Sequence, residues 1–203
     1  MKSKCYLLIL LCTMSAQKIE TWTKTGYELL GQEGVEGIKI ERLARILHLN
    51  KSGFYYYFGT MECYCKSLIQ YHVRQARIVA MEIGGCDNID PDLLLLIVKH
   101  KTFFLVESQL LVKGRLHGGD DPDEAGRIIN AELLLLWRKT RALQEDPAIF
   151  LASLNIIRHF FYARIKADNV DYAFLHSLAS EIKDVLDMVI MNKHPVPGSK
   201  PIL

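Results

Sequence analysis

The chain has 203 residues, 50% of them apolar and 24% charged, with a formal net charge of +2. That length suits one or two domains, and the composition excludes collagen-like, low-complexity and disordered chains. Residues 1–81 hold eleven Lys and Arg against six Asp and Glu, while residues 82–203 hold fourteen against seventeen, so the near-balanced total hides a basic first part that permits nucleic-acid binding without arguing for it.

The first residues, Met1 to Lys4, are basic, and an apolar run from Cys5 to Thr13 follows. Ser15-Ala16-Gln17 then supplies small residues, so residues 1–16 read as a minimal signal peptide. The run is far shorter than the roughly 20 apolar residues that span a bilayer. The other reading is that Met14 is the start and residues 1–13 are upstream sequence or a loose tail. The five cysteines (Cys5, Cys12, Cys63, Cys65 and Cys86) are odd in number and form no C-x-x-C pair. Neither a disulfide framework nor a zinc knuckle is expected, which suits a reduced, cytoplasmic setting.

The rest of the chain reads as all-α. Alternating strand patterns and Asn-Gly or Asp-Gly hairpins are missing from the sequence. Ile19, Trp22, Gly26, Leu29 and Leu30 recur at helical spacing until Gly34 stops the segment. A short helix is expected from about Ile40 to Leu47, and a second from Lys51 to Tyr57 with Asn50 as N-cap. Thr60 should cap a long helix reaching about Ile83. After Gly84-Gly85, an apolar helix is expected over Asp92 to Val112, then a polar loop over residues 114–121. Helices are expected from Pro122 to Leu143, Pro147 to Ala167 and Asp171 to Met191, with Asp-rich starts that suit the helix dipole. Pro195, Pro197 and Pro201 make residues 193–203 a loose tail.

The informative stretch is Ile40 to Phe58. Two short helices flank a tight turn, in the order of a helix-turn-helix. In the second, Phe54 and Phe58 stand four apart and share a face, which makes them core anchors. Successive helical residues point about 100° apart, so Tyr55, Tyr56 and Tyr57 cannot all be buried as well. Outward tyrosines suit a phosphate-lined partner, because phenolic hydroxyls donate to phosphate oxygens. Lys51, Ser52 and Gly53 suit a helix N-terminus that approaches a groove. From residue types alone the aromatics could equally be core and rim.

This stretch resembles the tetracycline-repressor-type (TetR/AcrR) transcriptional regulators over about Ile19 to Tyr64. Leu29-Leu30, Gly31-Gln32-Glu33 and Gly34-Val35 stand for the end of that family's first helix, and Leu43-Ala44 for a pair in its second. Leu49 to Phe58 stands for its recognition-helix pattern, with the Tyr-x-Tyr-Phe ending at Tyr55 to Phe58. The resemblance implies a helix-turn-helix DNA-binding domain over 14–62, with the motif at about 39–58. It also implies a helical effector-binding and dimerisation domain over 63–192. Lys51, Ser52 and Gly53, with Asn50 before them, would approach base edges. Tyr55, Tyr57 and neighbouring Tyr56 would meet the DNA, as would Arg42 and Lys39 on the phosphates. Family members begin shortly before the first helix, which suits a start at Met14.

Three positions depart from the family pattern: Met61 replaces a phosphate-gripping lysine, His48 replaces the turn glycine, and Ile38-Lys39 replaces a capping threonine or serine. Losing one phosphate contact should weaken binding on all DNA and flatten its salt dependence by about one charge.

Beyond residue 85 no family motif carries over. The stripe Leu175, Leu178, Ile182, Val185, Leu186 and Val189 suits a dimer bundle built from the last two helices, or equally an internal core. Candidate contacts for a largely apolar small-molecule effector are His100, Phe103, Phe104, Trp137, His159 and Tyr162. No metal or cofactor is expected: the histidines lack metal spacing, and P-loop, G-x-S-x-G and dinucleotide motifs are missing from the sequence. An enzyme is not expected. The function expected is a homodimeric, ligand-responsive repressor on a palindromic operator, with no membrane partner. The alternative is an exported or membrane-attached helical interaction protein that uses residues 1–16 as a signal.

Overall fold

The computed structural model describes residues 2–113, 116, 123–141 and 147–193, with side chains for 14–112, 116, 123–140 and 154–185. The described residues are all-α, without a strand. In chain order the helices are α1 (Lys2–Glu33), α2 (Ile40–Ile46), α3 (Lys51–Phe58), α4 (Met61–Gly84) and α5 (Leu94–Lys99). They continue with α6 (Lys101–Ser108), α7 (Glu124–Arg141), α8 (Pro147–Arg164) and α9 (Tyr172–Lys193). None is long and apolar enough to cross a membrane among the described residues.

Two expectations about the elements change. Helix α1 takes in residues 2–13, which the sequence reads as a signal-like run or a loose tail, and continues to Glu33. The apolar helix expected over Asp92 to Val112 is divided at His100, where φ is −101° and ψ 29°. The division separates α5 from α6, on which six consecutive residues, Phe103 to Ser108, are buried. Burial on every side puts this part of α6 inside the fold, and the helix packs on α1, α4, α5 and α8. The polar loop expected over 114–121 and the proline-rich tail lie largely outside the described residues.

Two apolar cores share α4. Its first half gives Tyr64, Cys65 and Leu68 to a core with Trp22, Leu30, Leu43, Phe54 and Phe58. Its second half gives Val73, Ala76, Val79 and Ile83 to a core with α5 to α9. The Thr60 hydroxyl caps α4 by accepting from the Cys63 amide at 3.2 Å. Gly26 on α1 is the space that Tyr64 fills: a Cβ there would stand 1.8 Å from the Tyr64 hydroxyl, which donates to the Trp22 carbonyl at 2.7 Å.

Candidate nucleic-acid surface and interior cavity

Helix α2 ends in a Schellman motif. The His48 amide donates to the Arg45 carbonyl, and the Leu49 amide to the Ala44 carbonyl at 2.9 Å. That closure places His48 at φ 54°, the left-handed region where glycine is usual. The chain then extends through Asn50 (φ −77°, ψ 144°) into α3. Asn50 holds the N-cap position, but its side chain makes no capping bond. Gly59, at φ 69°, ends α3.

Aromatic packing fixes the orientation of α3. Phe54 is fully buried, with its ring 5.6 Å from Trp22 and 5.0 Å from Tyr64. Phe58 is buried 4.8 Å from the same Tyr64 ring. Burying that face leaves Tyr55 54% and Tyr56 80% exposed. Tyr57 is half-buried, edge-on to Tyr56 at 5.1 Å. Lys51 and Ser52 are exposed at the start of the helix, and Gly53 is half-buried.

The cations beside α3 are partly engaged. Lys51 Nζ donates to Glu41 at 2.8 Å, and Arg42 makes a two-pronged pair with Glu33. The hydrogen bond from each cation holds its carboxyl below the ordinary range. Both pairs are solvent-exposed, so salt screens them and a phosphate can replace the carboxylate. Lys39 and Arg45 are exposed and pair with no carboxylate among the described residues. The sequence reading missed Arg45, although its place three residues after Arg42 on α2 was a visible signal.

A cavity of about 550 Å³ lies in the second core, bordered by α5 to α9. Of the six candidate contacts, Phe104, Trp137 and Tyr162 line it. Phe103 instead stacks on His72 at 4.8 Å, and His100 faces Glu82 at 3.1 Å. His159 is exposed and bonds the Asn155 carbonyl on its own helix. The lining also carries Asp90, Arg158, His176 and Lys183, which the sequence reading did not single out. Asp90 accepts from Tyr172 at 2.7 Å and pairs with His176 at 2.5 Å.

From Arg158 a buried polar chain crosses the molecule. Arg158 Nη2 donates to Glu107 Oε1 at 2.6 Å, and Glu107 Oε2 lies 2.7 Å from His72 Nε2. His72 Nδ1 lies 2.7 Å from the Tyr27 hydroxyl. Burial works against the charged Glu107 carboxylate, but His72 and Arg158 outweigh it and hold its pKa below the ordinary value. Burial, and then the Glu107 charge, push Tyr27 well above the ordinary tyrosine range, so its hydroxyl keeps its proton beside Nδ1. The other ring nitrogen, Nε2, faces Glu107, so both imidazole nitrogens and both Glu107 oxygens have partners in the chain.

No family model matches the chain, and neither a curated protein nor a solved structure is significantly similar to it.

Proposed function

We propose that the protein is a DNA-binding transcriptional regulator, working as a homodimer that responds to a small molecule. The observation that carries this reading is α3: two buried phenylalanines turn Tyr55 and Tyr56 to solvent beside Lys51 and Ser52. A folded chain gains nothing from exposing adjacent tyrosines there, whereas a phosphate backbone takes their hydroxyls as donors. The preceding turn sets α3 off from α2 in the order of a helix-turn-helix, and the second helix of that motif enters the major groove. The resemblance to TetR/AcrR regulators points the same way.

The homodimer reading is supported by apolar exposure on the last two helices, where Ile156 is 67% and Val185 47% exposed. Leu175 and Leu178, which begin the expected stripe, are internal core, and Leu186 and Val189 lie outside the described side chains. A dimer would place two α3 helices about one DNA turn apart on a palindrome. The apolar cavity supports the effector. An effector that binds better to the form with badly spaced α3 helices weakens DNA binding reciprocally, which makes the regulator a repressor released by its ligand.

The test is a gel shift with the DNA that flanks the protein's own gene. A specific shift, weakened by Tyr55→Phe and by Lys51→Gln, is expected. No specific shift from a folded, dimeric protein would sink the reading.

A further inference from the structure

The cavity has a charge asymmetry. Asp90 is its one carboxylate among the described lining residues, and it is already committed to Tyr172 and His176. Two cations face it. Lys183 on α9 is exposed and pairs with no carboxylate among the described residues. Arg158 on α8 has a side chain only 11% exposed, and its Nη2 carries both of its bonds, to Glu107 at 2.6 Å and to Asp123 at 3.1 Å. Its Nη1 and Nε donate to no other residue among those described, which leaves three of five guanidinium protons without a partner among the described residues. The guanidinium is also tightly seated: a Cβ on Gly126 of α7 would stand 2.3 Å from Nη2. The remaining wall is mainly apolar, with Leu94, Ile97, Phe104 and Phe161. A volume of about 550 Å³ falls within the ~300–1,000 Å³ of small-molecule sites.

We propose that the cavity binds an apolar molecule with an anionic head group, held by Arg158 and Lys183, and that Glu107, His72 and Tyr27 report its presence to α1. A two-pronged guanidinium grip on a carboxylate or phosphate pairs Nη1 or Nε with Nη2, and Nη2 is the atom that Glu107 holds. An anion arriving there competes with Glu107 for the same guanidinium. Glu107 is also the acceptor that holds His72, and His72 holds Tyr27, whose helix carries Trp22 against Phe54 of α3. Each link sits on a different helix, so weakening the first bond loosens the packing of α1 on α4 and α6. This deepens the ligand-responsive half of the proposed function and rests on it only for its purpose.

The test uses the full chain without DNA. Titration calorimetry compares decanoate with decanol, a neutral head on the same tail. Decanoate is expected to bind at least ~10-fold more tightly, since 1.4 kcal/mol is tenfold. The advantage should be lost in Arg158→Gln with Glu107→Gln, a pair that strands no buried charge. It should shrink in Lys183→Gln, an exposed change that leaves the core intact. Decyl phosphate separates the two head chemistries: whichever anion binds more tightly names the head group. Hydrogen exchange of the α1 amides around Tyr27 should speed up at saturating decanoate. Equal affinity for decanol and decanoate, no binding of either, or anion binding untouched by both variants overturns the site. Unchanged exchange in α1 on a saturated protein overturns the coupling. Since no DNA is present, a protein that binds decanoate but fails the gel shift removes the regulator and keeps the site. The reverse result removes the site and keeps the regulator.

Discussion

Replacing Glu107 by glutamine tests the buried chain most directly. The change keeps the shape and removes the charge. Glu107 is 6% exposed at its side chain, and its partners His72 and Arg158 are 3% and 11% exposed. Among the described residues Arg158 would then keep one carboxylate partner, Asp123, which is 56% exposed. Breaking a buried pair by removing one partner costs about 3–5 kcal/mol, because the remaining charge stays desolvated. A chain of this length loses about 2–4 °C of melting temperature per kcal/mol, so Tm should fall by roughly 6–20 °C. The assay is urea unfolding followed by helical circular dichroism at pH 7, with the slope unchanged between the two proteins. The sign of the pH effect follows from the direction of the shift. The folded pKa of Glu107 lies below its unfolded value, so its contribution is complete above about pH 4.3 and is lost as pH falls through the folded pKa. The gap between wild type and Glu107→Gln should therefore be full at pH 7 and close in acid. A loss below about 1 kcal/mol at pH 7, the level of an exposed ion pair, would refute the reasoning, and so would a gap that widens in acid.

Three further substitutions probe the first core and the α3 surface. Gly26→Ala should cost at least about 2 kcal/mol, because the new methyl occupies the Tyr64 hydroxyl position and breaks its bond to the Trp22 carbonyl; a melt like that of wild type would show that α1 and α4 are less closely packed. His48→Gly should raise stability by about 0.5–1 kcal/mol, since a left-handed residue costs about 1–2 kcal/mol and glycine entropy returns about 0.5–1 of it; a loss in thermal unfolding would mean that the imidazole makes a contact that outweighs its backbone conformation. Met61→Lys places a cation at the start of α4 and, on the proposed DNA-binding reading, should tighten binding while steepening its logarithmic salt dependence by about one charge; an unchanged slope in a salt titration would show that this helix end stays clear of phosphate.

The helical class and much of the α2–α3 region were legible in the sequence because their causes are local. Phe54 and Phe58 share a face at a spacing of four, so packing one against Trp22 and Tyr64 brings in the other. The exposure of Tyr55 and Tyr56 follows from the same 100° rotation per residue. Thr60 caps α4 through a neighbour three positions on. Asn50 shows where local reasoning stops: the residue type and backbone suit a cap, yet its side chain makes no such bond.

Periodicity determined by itself that this chain folds as helices with an inward and an outward face, since burial follows the helical repeat. Only the tertiary structure decided which polar side chains meet inside. Tyr27 and His72 are 45 positions apart, His72 and Glu107 35, and Glu107 and Arg158 51. Each stands on its own helix as an ordinary polar residue with nothing near it to signal a partner. A buried charge chooses its partner through the crossing of four helices rather than through spacing along one. The cavity beside Arg158 arises in the same way, as space left between helices that no single helix encodes.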